Sequence, residues 1–159
     1  YLPRKFVYEG GKPPIPSRVA GDIDYPGIRY ADVLLLWAEA LNEKGQTGPA
    51  VDKVNEVRAR AKVGLLNSSA ATTVSGKTDL TSRIRNERRR ELFGEGVIYF
   101  DELRWKSWKE QVFSGNAGNK QPWGAIVDKY TYLGDQLYTW PIPELERQRN
   151  TSLTQNTGW

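Results

Sequence analysis

LTSRIRNERRRELFGEGVIYFDELRWKSW, residues 80–108, is the stretch whose reading decides the fold. It reads as two helices meeting at the Gly94-Glu95-Gly96 corner, where glycines punctuate an otherwise helical pattern. On a helical wheel Leu80, Ile84, Glu87, Arg88 and Glu91 share one side, so charge interrupts the expected apolar stripe. A helix buried against partners would have to pair those charges, because an uncompensated buried charge is costly. Arg83 and Glu87 stand at i,i+4, and Arg88 and Glu91 at i,i+3, which makes Arg83, Glu87, Arg88 and Glu91 a candidate structural charge network. The competing reading is a charged helix facing solvent. In the second half, Trp105 and Trp108 stand at i,i+3 and Asp101 one turn before Trp105. These tryptophans read as core.

Working outward toward the N-terminus, a second helix pair is legible. Tyr30, Val33, Leu34, Trp37, Ala38 and Leu41 form an amphipathic stripe, which Leu35, Leu36 and Ala40 widen until more than one side must be covered. Gly45 suits the residue just past a helix end, and Pro49 suits the first turn of the next helix, expected over residues 50–63. Val51, Val54, Val57 and Ala61 would then point inward. Tetratricopeptide helix pairs place a small residue in the first helix, a glycine at the turn and an alanine early in the second. Ala38, Gly45 and Ala50 occupy those places. Small side chains there let two antiparallel helices approach closely. Such a pair cannot bury its own outer faces, so it implies stacked neighbours.

The remaining segments are less regular. Residues 1–27 are rich in proline and glycine and read as an extended segment and loop, with Phe6-Val7-Tyr8 as a short edge strand. Residues 64–79 are Ser/Thr/Gly-rich and read as a flexible connection. Beyond Trp108 comes a loop-rich tail, residues 109–159. There Trp140-Pro141-Ile142-Pro143 must be extended before a short helical turn, since proline fixes φ and removes a donor. Trp37 and Trp140, in regular or proline-locked segments, also read as core.

Composition narrows the chemistry. At 159 residues one domain with a real core is the default. A net charge of +4, with bases and acids mixed, argues against a dedicated nucleic-acid surface. Cysteine and histidine are both absent, which removes disulfides, thiolate ligands, the usual general base and the commonest metal ligand. Asp101 and Glu102 are adjacent and diverge on a helix, so no convergent carboxylate pair for glycoside hydrolysis is evident. No catalytic residue, metal site or cofactor is expected. The chain starts at Tyr1 without an initiator Met, signal peptide or lipid-attachment cysteine, and reads as part of something longer.

Four blocks, in this order along the chain, resemble the SusD/RagB family: Arg29-Tyr30-Ala31-Asp32-Val33-Leu34-Leu35 with Ala38-Glu39-Ala40; Ile84-Arg85-Asn86-Glu87-Arg88-Arg89-Arg90-Glu91-Leu92 with Glu95-Gly96; Pro141-Ile142-Pro143; and Thr154-Gln155-Asn156. Family members commonly carry Arg two residues after the Glu-Gly, where this chain has Ile98. They tend to read Asp-Leu-Arg-Arg-Trp, where it has Asp101-Glu102-Leu103-Arg104-Trp105. The resemblance implies a mainly α fold of tetratricopeptide-like antiparallel helix pairs with long irregular loops, the C-terminal part of a longer protein. In that reading residues 1–159 hold a helix pair at 29–63, a second at 80–108 and the loop-rich tail.

The family's members are outer-membrane lipoproteins on the extracellular face. They bind glycans or other nutrients and pair with a SusC-like TonB-dependent outer-membrane transporter. For this chain the resemblance implies nutrient capture, glycan first, with delivery to that transporter, and a lipid anchor in a region not present here. The partners would be the transporter, the N-terminal part of the same protein and the ligand, with no nucleic acid. The alternative is a tetratricopeptide-like scaffold for a protein or peptide. Sugar rings stack on aromatic faces and their hydroxyls seek polar partners, so a site wants exposed loop aromatics. Trp123, Tyr130 and Tyr132, between a Gly/Asn-rich loop and the Gly134-Asp135-Gln136 turn, fit that description as ligand-binding candidates. As ordinary packing they would instead cover the helix pair.

Overall fold

A computed structural model describes residues 26–121, 124–127 and 130–159. The expected edge strand at Phe6-Val7-Tyr8, the extended segment around it and Trp123 lie outside the described residues. Among these, the chain forms six α-helices, two 3-10 turns and one two-stranded ladder, a mainly α fold. It divides between Ile98 and Tyr99 into two compact units.

In the first unit, α1 (Tyr30–Glu43) and α2 (Thr47–Arg60) pack on each other, and α3 (Lys77–Glu91) lies against both. A short turn at Gly45 folds α2 back on α1. Gly45 takes φ +77°, its N–H donates to the Asn42 carbonyl at 3.0 Å, and the Gln46 N–H donates to the Leu41 carbonyl at 2.9 Å. These two bonds close the helix end in a left-handed cap that glycine adopts without strain. The core joins Ala31, Leu34, Leu35 and Ala38 to Val51, Val54 and Val57 and to Leu80 and Ile84. Each fully buried Leu or Ile contributes roughly 1.5–3 kcal/mol. Ala38 and Ala50 are wholly inaccessible, so the small side chains do sit where the two helices meet. Asn42, also buried, donates to the Lys77 carbonyl and Thr81 Oγ1, tying the end of α1 to the start of α3.

Several expectations change. The buried face of α1 is Ala31, Leu34, Leu35, Ala38 and Asn42, whereas Tyr30, Val33, Leu36 and Trp37 face outward. Because α1 is apolar almost all round, periodicity did not choose which side packs; the close approach at Ala38 did. Trp37 is therefore not core. It is half exposed and carries the Lys53 ammonium 4.6 Å above its ring. Trp140 is not core either, being 73% exposed in the proline-locked extended segment.

The connection at residues 64–79 is not loose. The Asn55 carboxamide clasps both backbone groups of Leu66, accepting its N–H at 2.7 Å and donating to its carbonyl at 3.3 Å. Leu66 thereby enters the core. Asn67 Oδ1 accepts the Val74 N–H, and Ser69 and Thr72 form a capping box around the 3-10 turn Ala70–Thr72. Serine, threonine and asparagine here supply hydrogen bonds rather than freedom.

At the corner after α3, Gly94 and Gly96 both take φ +79°. α4 (Val97–Arg104) follows and stops short of the expected Trp108. Lys106, at φ +55°, closes it, with the Lys106 N–H donating to the Leu103 carbonyl and the Ser107 N–H to the Glu102 carbonyl, both at 3.0 Å. Trp108 opens a new helix, α5 (Trp108–Val112), so Trp105 and Trp108 do not share one helix face. Both are half-buried.

The second unit continues with β1 (Asn119–Lys120) antiparallel to β2 (Ile126–Val127), a 3-10 turn at Asp135–Tyr138 and α6 (Glu144–Arg149). Among the described residues no helix is long and apolar enough to cross a membrane.

Candidate ligand-binding site

Glu87, Arg88 and Glu91 on the charged face of α3 are met by other elements, whereas Arg83 is met along the helix itself. Arg88, 1% exposed, places Nη1 2.7 Å from Asp32 Oδ1 of α1, an ion contact lying off the hydrogen-bond axis. Glu87 accepts from Arg58 of α2 at 2.5 Å. Glu91 accepts from Arg29 at 2.7 Å and from Arg60 at 2.6 Å, and Arg29 also reaches Glu95 at 2.8 Å. Arg83 pairs with Asp79 at 2.9 Å. Burial pushes the Glu91 carboxyl up, but the hydrogen bonds from Arg60 and Arg29 outweigh it and hold the group below the usual range. The Glu95 hydrogen bond raises Arg29 above its ordinary value. These charges are consumed by each other and hold α1, α2 and α3 in place.

A concavity of about 580 Å³ adjoins this network, walled by Ala31, Leu34 and Val57 and rimmed by Arg29 and Arg60. Both rim arginines are already engaged by Glu91. It offers apolar wall and few available polar groups.

The loop-rich unit is built differently. Tyr99, Trp108, Phe113, Tyr132 and Tyr138 form a row of ring contacts. Successive centroids lie 5.0, 6.1, 5.8 and 6.4 Å apart, the first two contacts edge-on and the others tilted. Tyr132 is thus brought into packed company, half-buried between Phe113 and Tyr138. Its hydroxyl donates to Asp135 Oδ1 at 2.8 Å, and the Lys109 ammonium stands 5.5 Å from its ring centre. Desolvation, then the hydrogen bond to Asp135, raises the Tyr132 hydroxyl well above the ordinary tyrosine range, so it stays a donor. Tyr130 is 56% exposed.

Beside this row opens a groove, also of about 580 Å³, lined by residues including Arg104, Lys106, Lys109, Glu110, Asp135 and Tyr138. Tyr132 is not among the lining residues; its ring packs between Phe113 and Tyr138, and it reaches the groove through its contacts with Lys109, Asp135 and Tyr138. Lys109, Asp135 and Tyr138, which line it, were not singled out by exposure reasoning. Their shared location depends on α5 and the 3-10 turn meeting, which no local spacing encodes. Aromatic, carboxylate and ammonium groups together can stack on sugar C–H faces and hydrogen-bond hydroxyls. Among the described residues no cluster of three or more metal-ligating side chains occurs.

Comparison with known proteins adds the lineage. The SusD family model matches residues 1–159. SusD-like protein P38 of Formosa agariphila is 42% identical over 80 residues, covering 48% of this chain and 16% of that protein. SusD-like protein P2 of the same organism is 34% identical over 136 residues, covering 84% of this chain and 25% of the relative. A SusD-like protein of Bacteroides fragilis superposes with a TM-score of 0.69 at 29% identity, over 85% of this chain and 26% of its own. A SusD superfamily protein of Parabacteroides distasonis gives 0.54 at 30% identity, over 82% and 26%. The chain spans a quarter or less of the length of the curated relatives it matches.

Proposed function

The chain belongs to the SusD family, and from that premise we propose that it is the C-terminal region of a non-catalytic nutrient-binding protein whose ligand class is glycan. The protein captures its ligand at the extracellular face of the outer membrane, held there by a lipid anchor in a region outside these residues. It passes the ligand to a SusC-like TonB-dependent transporter. The N-terminal part of the same protein completes the partnership. The observation that carries this reading within the chain is the groove lined by Tyr138, Asp135 and Lys109, each of which also contacts Tyr132. Tyr130, 56% exposed, offers a further aromatic face in the same tail, and Trp123 is kept as a candidate from the sequence alone.

The test is binding of the intact protein to a panel of soluble polysaccharides by affinity electrophoresis and calorimetry. Trp123→Ala and Tyr130→Ala should each weaken binding several-fold with little change in Tm. Tyr132→Phe removes only the hydroxyl that holds Asp135 and should weaken binding as well. Unchanged affinity in all three with a lowered Tm would make these residues structural and would overturn the site. The alternative reading, a tetratricopeptide-like scaffold for a protein or peptide, draws on one observation: the outward apolar residues Tyr30, Val33, Leu36 and Trp37 of α1. No polysaccharide binding, together with capture of a peptide by that face, would favour it.

A further inference from the structure

The groove beside Tyr132 has an unequal charge account once each side chain's engagements are followed. Asp135 is occupied by the Tyr132 hydroxyl at 2.8 Å. Glu110 turns its carboxylate back toward its own loop, with Oε2 3.5 Å from where a Cβ on Gly115 would lie. Arg104 is partly used, its Nε donating to Asp101 Oδ1 at 2.9 Å and its guanidinium lying 4.8 Å from the Trp105 ring centre. Lys106 and Lys109 differ. Among the described residues, neither ammonium has a carboxylate oxygen within ion-pair distance. Lys109 rests on the Tyr132 face, and Lys106 projects from the cap of α4, exposed, at φ +55°.

That backbone conformation is one glycine adopts without cost and lysine does not. A lysine is thus held at a position where local stability favours another residue, on the rim of a groove that already contains a second unpaired ammonium. An ammonium pair beside an aromatic floor suits a ring that carries its own negative charge, because a carboxylate or sulfate ester receives charge-assisted hydrogen bonds while its C–H face meets the tyrosine.

We propose that this groove selects anionic saccharides, with Lys106 and Lys109 meeting a carboxylate or sulfate-ester group and Tyr138 contributing the ring contact. The inference rests on the glycan-binding reading and specifies its ligand class.

The test uses the intact protein and two matched pairs of probes. One pair is heptagalacturonic acid and its fully methyl-esterified form, which keeps ring and length but removes the charge. The other is a sulfated galactan oligosaccharide and its desulfated form. At low salt the charged member of at least one pair should bind about tenfold or more tightly, and the gap should narrow as salt rises. Which pair shows the larger gap identifies carboxylate or sulfate ester as the group received. Lys106→Gly is the decisive variant. It should raise Tm by relieving the left-handed backbone while reducing affinity for the charged probe several-fold, a split that a merely structural role would not produce. Lys109→Met should reduce the same affinity, and Lys44→Ala, the same charge change in the other unit, should not. Equal affinity for charged and neutral members overturns charge selection and leaves glycan binding standing. An equal loss in Lys44→Ala overturns the placement in this groove. Absence of binding to every charged and neutral saccharide overturns the glycan reading and this inference together.

Discussion

Gln155 closes its carboxamide on both backbone polar groups of Ile142: Oε1 accepts the Ile142 N–H at 2.8 Å and Nε2 donates to the Ile142 carbonyl at 3.0 Å. Pro141 and Pro143 have no N–H, so Ile142 carries the one backbone donor of that tripeptide, and a side chain takes the place a neighbouring strand would fill. Asn156 extends the clasp by donating to the Trp140 carbonyl at 2.6 Å. Gln155 Oε1 also accepts the Asn156 N–H at 2.9 Å, and Gln155→Ala should cost about 1–2 kcal/mol through the lost hydrogen bonds. Amide exchange at Ile142 reads this directly: protection should fall about tenfold or more, and unchanged exchange would mean the clasp contributes nothing.

The Asp32–Arg88 contact joins α1 to α3 with the arginine inaccessible to solvent. Asp32→Asn should destabilise the protein, by up to roughly 3–5 kcal/mol, because it removes a counter-charge from a buried guanidinium. The double change Asp32→Leu with Arg88→Met removes both charges and should recover much of that loss. Urea midpoints of the parent and the two variants form the check. A single mutant as stable as the parent would show that Arg88 finds compensation elsewhere.

Acid sensitivity should follow Glu91. Its carboxyl is held below the usual range in the folded state, so its contribution is present above the ordinary glutamate value and is lost as pH falls through the folded one. Glu91→Gln should therefore be less stable than the parent at neutral pH, and the difference should close below about pH 4.3, where the unfolded carboxyl is protonated. Denaturant titrations at pH 7, 5 and 3.5 measure it. A gap that stays constant across the three would remove the carboxylate as its cause.

Lys62 ends α2 with the same bond pattern that Gly45 gives α1. Its N–H donates to the Ala59 carbonyl at 3.0 Å, and the Val63 N–H donates to the Arg58 carbonyl at 3.1 Å. It does so at φ +55°. Lys62→Gly should stabilise by about 0.5–1 kcal/mol, the relief of left-handed backbone less the added freedom of the unfolded chain. A lower Tm would show that the lysine stem packs more than its exposure suggests.

The elements were legible where local chemistry decides them. Gly45 announced its cap, Ala38 and Ala50 announced a close helix crossing, and the charges of Glu87, Arg88 and Glu91 on an otherwise apolar face announced buried pairing. Their partners were not legible, since Asp32, Arg58, Arg29 and Arg60 come from other elements and no i,i+3 or i,i+4 rule points to them. The break after Arg104 escaped because a lysine fills the place where a glycine would have marked it. Leu66 escaped because its anchor, Asn55, lies on a different element. Around Tyr132 the exposed-aromatic rule could not see the packing of the ring by Phe113 and Tyr138, residues apart in sequence.

The blocks that mark the lineage hold one another. Arg29 and Asp32 of the first grip Glu91, Glu95 and Arg88 of the second, while Gln155 and Asn156 of the last grip Trp140 and Ile142 beside the third. A signature made of mutual restraint constrains how the chain can change over generations. A charge lost in one block calls for a matching exchange in another. A chain built this way can rewrite the stretches between its blocks and never disturb the motif by which its lineage is known.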